Sequence, residues 1–143
     1  GEVFPRPVIR AFLLAAALLA APAAAQEHIQ PIRLARGTSG AEVAGGVVRG
    51  ERALFSLEAR AGQTLTVRIT APEGNAVFQI WPPGAVPRRQ DGMAAVDGTA
   101  LPGAGEGEDA RSWTGRLPAS GAYLIVVGGT RGNAEFRLSV TVR

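Results

Sequence analysis

An alternation of apolar and polar side chains with a period of two residues most strongly limits what this chain can fold into. The clearest example is C-terminal, where polar residues stand between Ala134, Phe136, Leu138, Val140 and Val142. The same alternation recurs at residues 55–58, 64–70 and 78–80. Successive side chains of a strand point to opposite faces, and one polar face beside one apolar face is typical of antiparallel sheets. The pattern therefore predicts strands, and no convincing helix, after residue 26.

Turn-forming residues separate these alternating runs at regular intervals. The turns are expected at residues 37–40, 49–51, 61–63, 72–75, 118–121 and 128–133. Seven or eight short strands with this spacing predict an all-β fold, an antiparallel β-sandwich. Residues 122–127 are apolar at every position, which places that strand at the centre of a sheet.

The stretch 82–110 departs from this pattern because it is rich in proline and glycine, with one short strand-like run at 93–96. A long irregular excursion in a small domain is either functional or mobile. Three acidic residues cluster within 105–109, which admits a calcium site or a solvated loop. Because the alternating Asp/Asn pattern of a calcium loop is missing, we predict no metal site.

The first 25 residues have the order of a secretory signal. Arg6 and Arg10 precede an apolar run at 11–21, and Ala23-Ala24-Ala25 supplies small residues before Gln26. Eleven helical residues rise only about 16 Å, whereas a membrane anchor must cross roughly 30 Å of hydrocarbon. The sequence thus predicts a signal-peptide helix over 1–25, cleaved near Ala25, rather than an anchor or a core helix. We expect a periplasmic or secreted protein with no membrane span after cleavage, and a single domain over 26–143.

Composition narrows the classes of partner. The net charge is +3, and all 15 basic residues are arginine, but no basic tract is interleaved with aromatic residues. This pattern does not favour nucleic-acid binding. The chain has no cysteine, so its domain must be stabilised by core packing without disulfides.

The residues needed for common catalytic sites are missing. The one histidine, His28, lies shortly after the predicted cleavage point, where we expect a frayed terminus, so a Ser-His-Asp site is not expected. Without cysteine or a second histidine, the chain also has no Cys-His pair and no zinc site. It also has no phosphate-binding glycine motif that opens a helix. A carboxylate pair would have to come from flexible loops, with Asp91, Asp97, Glu106 and Glu108 as candidates. The sequence therefore predicts a binding protein, with no catalytic residues and no cofactor.

The segment Trp113–Val127, which contains Leu117-Pro118 and Ser120-Gly121-Ala122-Tyr123, resembles the bacterial periplasmic inhibitors of g-type and i-type lysozymes. Residues 36–43, 57–65 and 78–84 are similar to that family as well, so the resemblance covers about 32–142. It implies a β-sandwich whose Ser-Gly-x-Tyr turn and a neighbouring loop block the sugar-binding cleft of a lysozyme or related peptidoglycan hydrolase. Similar motifs occur in pre-peptidase C-terminal domains, which share the sandwich.

Carried over onto this chain, the resemblance implies a partner-binding site at Ser120, Gly121 and Tyr123, to which Arg131 adds a contact with an acidic cleft. Each residue also has a structural alternative. Ser120-Gly121 is also an ordinary turn sequence after a proline, and the alternative favoured for Arg131 is an ordinary loop arginine. Tyr123 either presents its hydroxyl to the partner or ties down a corner of the sandwich.

A second functional hypothesis is a pre-peptidase-type sandwich that binds cell-wall glycan or another envelope protein. Exposed aromatic side chains on one sheet face would favour glycan binding, with Trp81 and Trp113 as the candidates. A protruding turn at 120–123 would favour inhibition.

Overall fold

Ten β-strands build the part of the chain that the computed structural model describes, residues 28–143, and no helix occurs in that part. The predicted signal peptide lies outside the described residues. The strands are β1 (Ile29–Pro31), β2 (Gly40–Val47), β3 (Arg52–Ala59), β4 (Thr64–Thr70), β5 (Ala76–Trp81), β6 (Val86–Gln90), β7 (Met93–Asp97), β8 (Ser112–Arg116), β9 (Gly121–Gly129) and β10 (Ala134–Val142). Among residues 28–143, no helix is long and apolar enough to cross a membrane.

Eight of these strands form two four-stranded sheets. The first has the order β1-β3-β9-β5 and the second the order β2-β10-β4-β8. All pairs are antiparallel except β1 with β3, which is parallel. The predicted all-β sandwich of seven to eight short strands is thereby confirmed.

The two sheets enclose one apolar core. Along β10 the buried positions alternate with exposed or half-buried ones, as the period of two requires. Phe55 of the first sheet meets Phe136 of the second edge to face, with ring centroids 6.1 Å apart and planes at 87°. Aromatic pairs favour this geometry, and the contact joins the two layers through the core.

Strand β9 occupies the interior of its sheet, between β3 and β5, as its unbroken apolar sequence predicts. Tyr123, Ile125 and Val127 belong to the core between the sheets, whereas Leu124 and Val126 belong to a second apolar cluster with Leu54 and Trp81. A strand can be apolar on both faces only when both faces are covered.

The cover for that second cluster comes from the excursion 82–110, which is more ordered than the sequence predicts. Strands β6 and β7 form an antiparallel hairpin, and Ala85, Val96 and Ala100 pack against the cluster. The turn is Asp91-Gly92, where both residues have positive φ (53° and 80°), as a tight hairpin turn requires. The expectation of a structureless excursion with one strand is thus corrected for residues 86–97.

The loops gather at two ends of the sandwich. We call one the corner end, which comprises the β1–β2 loop, the β3–β4 turn and the β8–β9 connection, at residues 32–39, 60–63 and 117–120. The far end comprises the β2–β3, β4–β5 and β9–β10 connections, at residues 48–51, 71–75 and 130–133. Strand β9 runs between the ends, and its nine residues span about 26 Å at roughly 3.3 Å per step.

Candidate functional site

The β8–β9 connection is fixed to the β3–β4 turn by backbone hydrogen bonds. The Leu117 amide donates to the Gln63 carbonyl at 2.8 Å, and the Gly62 amide donates to the Leu117 carbonyl at 2.8 Å. The Leu117 side chain is buried in the core. Two chain segments distant in sequence are thereby locked into one surface at the corner end.

Tyr123 lies inside this corner. Its ring is fully buried between the sheets. Its cross-strand partner Leu57 lies on the same face of the sheet and is buried as well. The phenol hydroxyl donates to the Ala119 carbonyl at 2.6 Å and accepts from the Ala119 amide at 3.1 Å. The expectation that Tyr123 presents its hydroxyl to a partner is therefore corrected by its burial. The structure has the other alternative, a tyrosine that ties down a corner.

Ser120 has the opposite placement, because it is exposed at the surface. Its Oγ accepts a hydrogen bond of 2.9 Å from the amide of Ala61, in the neighbouring turn. A hydroxyl has one proton to donate and two lone pairs, so the bond from Ala61 uses an acceptor site only. The O–H of Ser120 remains free to donate outward, from an oxygen whose position is fixed.

Gly121 makes the close chain path at this corner possible. Its φ is 142°, in the range that side-chain-bearing residues rarely adopt. A Cβ built on Gly121 would lie 2.9 Å from the Cβ of Pro83. Ser120, Gly121 and Tyr123 therefore form one unit, in which Gly121 and Tyr123 hold the exposed Ser120 in place.

Comparison with solved structures supplies the family. The structure matches that of PliG from Aeromonas hydrophila, a periplasmic lysozyme inhibitor of g-type lysozyme. The TM-score is 0.60 and the identity 31%, over 80% of this chain and 96% of that one. The chain belongs to the PliG family.

Two further neighbours share the fold of this PliG-family chain. The Salmonella Typhimurium PliG matches with a TM-score of 0.56 and 18% identity, over 82% of this chain and 100% of that one. The pre-peptidase C-terminal domain of Bacillus anthracis collagenase matches with a TM-score of 0.50 and 12% identity, over 81% of this chain and 97% of that one. The sequence matches no protein-family model and none of the curated proteins.

Arg131 of the PliG-family chain lies at the far end, in the β9–β10 loop, where its guanidinium donates to the Glu73 carbonyl at 2.9 Å. Asn75, a buried polar residue with 4% exposure, donates to the carbonyls of Arg131 (3.1 Å) and Asn133 (3.0 Å). The structure does not bring Arg131 together with Ser120, because the length of β9 separates them.

The tryptophans of this PliG-family chain form no exposed aromatic platform. Trp81 is 7% exposed and belongs to the cluster under the β6–β7 hairpin. Trp113 packs against the edge of the core, its indole nitrogen donates to the Pro102 carbonyl at 2.9 Å, and its ring fills the space beside Gly115. The feature that would favour glycan binding is therefore not present at these residues.

The acidic residues considered for catalysis are exposed and lie on loops and on the β6–β7 hairpin. Asp97 is ion-paired with Arg88, with 2.8 Å between Oδ2 and Nε, and Glu106 and Glu108 lie on the surface. Within 28–143, no group of three or more His, Cys, Asp or Glu residues could hold a metal ion.

Sequence reasoning missed the residues that surround Ser120. Arg60 directly precedes Ala61, whose amide bonds Ser120, and Arg116 directly precedes Leu117, which bonds the β3–β4 turn, so both lie at the corner end. Their proximity follows from the pairing of β4 with β8, which sets Thr64 opposite Arg116. Sequence signals existed only for the separate turns, Ala61-Gly62-Gln63 and Leu117-Pro118, and not for their contact.

Proposed function

We propose that this PliG-family chain is an exported periplasmic inhibitor of a lysozyme, and that residues 1–25 direct its export as a cleaved signal peptide. The single observation that carries the proposal is its 31% identity to the Aeromonas hydrophila inhibitor over 96% of that protein. The fold likeness to the Salmonella Typhimurium inhibitor agrees with it.

The corner end is the part of the molecule that we propose enters the lysozyme cleft. Its exposed Ser120 hydroxyl offers a hydrogen-bond donor whose oxygen is already fixed by Ala61. Glycosidases carry carboxylates on either side of the scissile bond, and a carboxylate is a strong acceptor for such a donor. A corner held rigid before binding loses little conformational entropy on association, which favours tight binding.

Gly121 and Tyr123 act in this proposal as positioning residues. Tyr123 holds the backbone of Ala119, one residue before Ser120, with two hydrogen bonds. Gly121, which follows Ser120, has a backbone conformation that residues with a side chain rarely adopt, and Pro83 leaves no room for a Cβ there. Inhibition is then steric occlusion of the cleft, and it requires no reaction catalysed by the inhibitor.

Lysis of a cell-wall suspension by purified g-type, i-type and c-type lysozymes tests the proposal. We expect the protein to slow the loss of turbidity with at least one class, and Ser120→Ala to weaken inhibition by about 5- to 150-fold, the range for loss of an anchoring contact. Ser112→Ala, at an exposed serine of β8 away from the corner, is the matched control and should inhibit like the parent. No slowing of lysis by any class at large molar excess would refute the proposal.

A further inference from the structure

The exposed arginines of the corner end include Arg143, which follows β10, and four others that lie in its loops or end a strand there. Arg33 and Arg36 lie in the β1–β2 loop, Arg60 lies in the β3–β4 turn, and Arg116 ends β8. Within residues 28–143, none of their guanidinium groups has a hydrogen-bond or ion-pair partner. We call these four residues the arginine rim.

Two members of the arginine rim are close to Ser120 by chain connectivity. Arg60 adjoins Ala61, whose amide donates to the Ser120 oxygen. Arg116 precedes Ser120 by four residues, so their Cα atoms are at most about 14 Å apart. An extended arginine side chain covers about half of that distance, so both guanidinium groups can reach a partner that contacts Ser120.

Few carboxylates offset the arginine rim. In this half of the sandwich Glu42 is ion-paired with Arg137 and Asp97 with Arg88, which leaves Glu58 without a partner among the described residues. At the far end, by contrast, arginines and carboxylates are mixed, as in the pair Arg89–Glu51. The positive charge of the domain is therefore concentrated at the corner end.

We propose that the arginine rim determines which lysozymes this protein inhibits, by selecting a cleft whose mouth is lined by carboxylates. This inference rests on the proposed function and adds the chemistry of the partner to it. The arginine rim and Ser120 together supply five donor groups, the four guanidinium groups and the Ser120 hydroxyl, and Glu58 is the carboxylate of this half that has no partner among the described residues. Arginine matches carboxylates with bidentate geometry, and charges at the rim of an interface chiefly raise the association rate and its dependence on salt.

A charge-removal experiment with a lysozyme that the parent protein inhibits tests the arginine rim. The double variant Arg60→Gln/Arg116→Gln removes two charges at the corner end, and Arg49→Gln/Arg131→Gln removes two at the far end, where Arg49 is an exposed turn residue. Both variants have the same net charge, so a difference in inhibition between them reflects where the charges lie and not the overall charge of the protein. All three proteins are compared by thermal unfolding, to establish that they are equally folded.

At an ionic strength of about 0.02 M we expect the corner-end variant to need about tenfold more protein for half-inhibition than the parent. At about 0.5 M, where screening is strong, the difference should fall below about threefold. The far-end variant should stay within about twofold of the parent at both ionic strengths. If the two variants lose inhibition equally, or if the corner-end variant loses none, the proposed role of the arginine rim is wrong while the proposed function stands.

Two further outcomes are distinguishable. If the parent inhibits no lysozyme class, the proposed function and this inference both fail. A second experiment measures how the parent and the two variants bind vesicles of phosphatidylglycerol and phosphatidylcholine in equal amounts. Loss of vesicle binding by the corner-end variant, with inhibition at the parent level, would assign the arginines to an anionic lipid surface and overturn the inference.

Discussion

Tyr123→Phe removes one oxygen atom from the centre of the corner and tests whether Tyr123 acts by positioning. The phenyl ring still fills the core, so the substitution creates no large cavity. It leaves the amide and carbonyl of Ala119 without the partners now at 3.1 and 2.6 Å. Losing the partner of a partly buried polar group costs about 1–3 kcal/mol, and Ala119 is half-buried.

For a domain of this size, that loss corresponds to a fall in Tm of about 3–15 °C. We expect calorimetry to show this fall for Tyr123→Phe, together with a smaller loss of inhibition than Ser120→Ala causes. Ser120→Ala is the matched comparison, because the Ala61 amide that it frees is exposed to water and its Tm should change little. A Tyr123→Phe protein that keeps the parent Tm but loses inhibition would refute the reasoning, since its hydroxyl would then have to contact the partner.

Three further substitutions test the rest of the geometry. Gly121→Ala should lower the free energy of unfolding, measured with urea, by about 1–3 kcal/mol and should weaken inhibition. The reason is that φ is 142° and Pro83 leaves no room for a Cβ. Parent-like stability and inhibition would contradict this prediction. Asn75→Ala should cost a similar 1–3 kcal/mol, because it frees the buried carbonyls of Arg131 and Asn133, yet inhibition by the folded protein should persist. Arg131→Gln should change half-inhibition by less than about twofold, and a loss above tenfold would place the far end in the interface.

The fold was predictable because its main signal is local. The period of two in β10 and the unbroken apolar run of β9 specify which faces are buried, and the structure agrees with both. The β6–β7 hairpin was not predicted, since Pro87 and the many alanines hide its alternation. The Asp91-Gly92 turn was the available signal for it.

The candidate site was only partly predictable. The segment 120–123 could be located in the sequence, but the direction of Tyr123 depends on its pairing with Leu57, which no local pattern gives. The separation of Arg131 from Ser120 was implied by the length of the strand between them. The arginine rim depends on the contact between two turns, and that contact exists only in the folded sheets.

Competition with a saccharide tests most directly whether the corner end fills a lysozyme cleft. Binding of the protein to an inhibited lysozyme would be measured by calorimetry at rising concentrations of a chitin oligosaccharide that occupies the cleft. Occlusion predicts that the apparent Kd rises in proportion to the free oligosaccharide once the cleft is mostly occupied. An apparent Kd that does not change when the cleft is saturated would contradict the account.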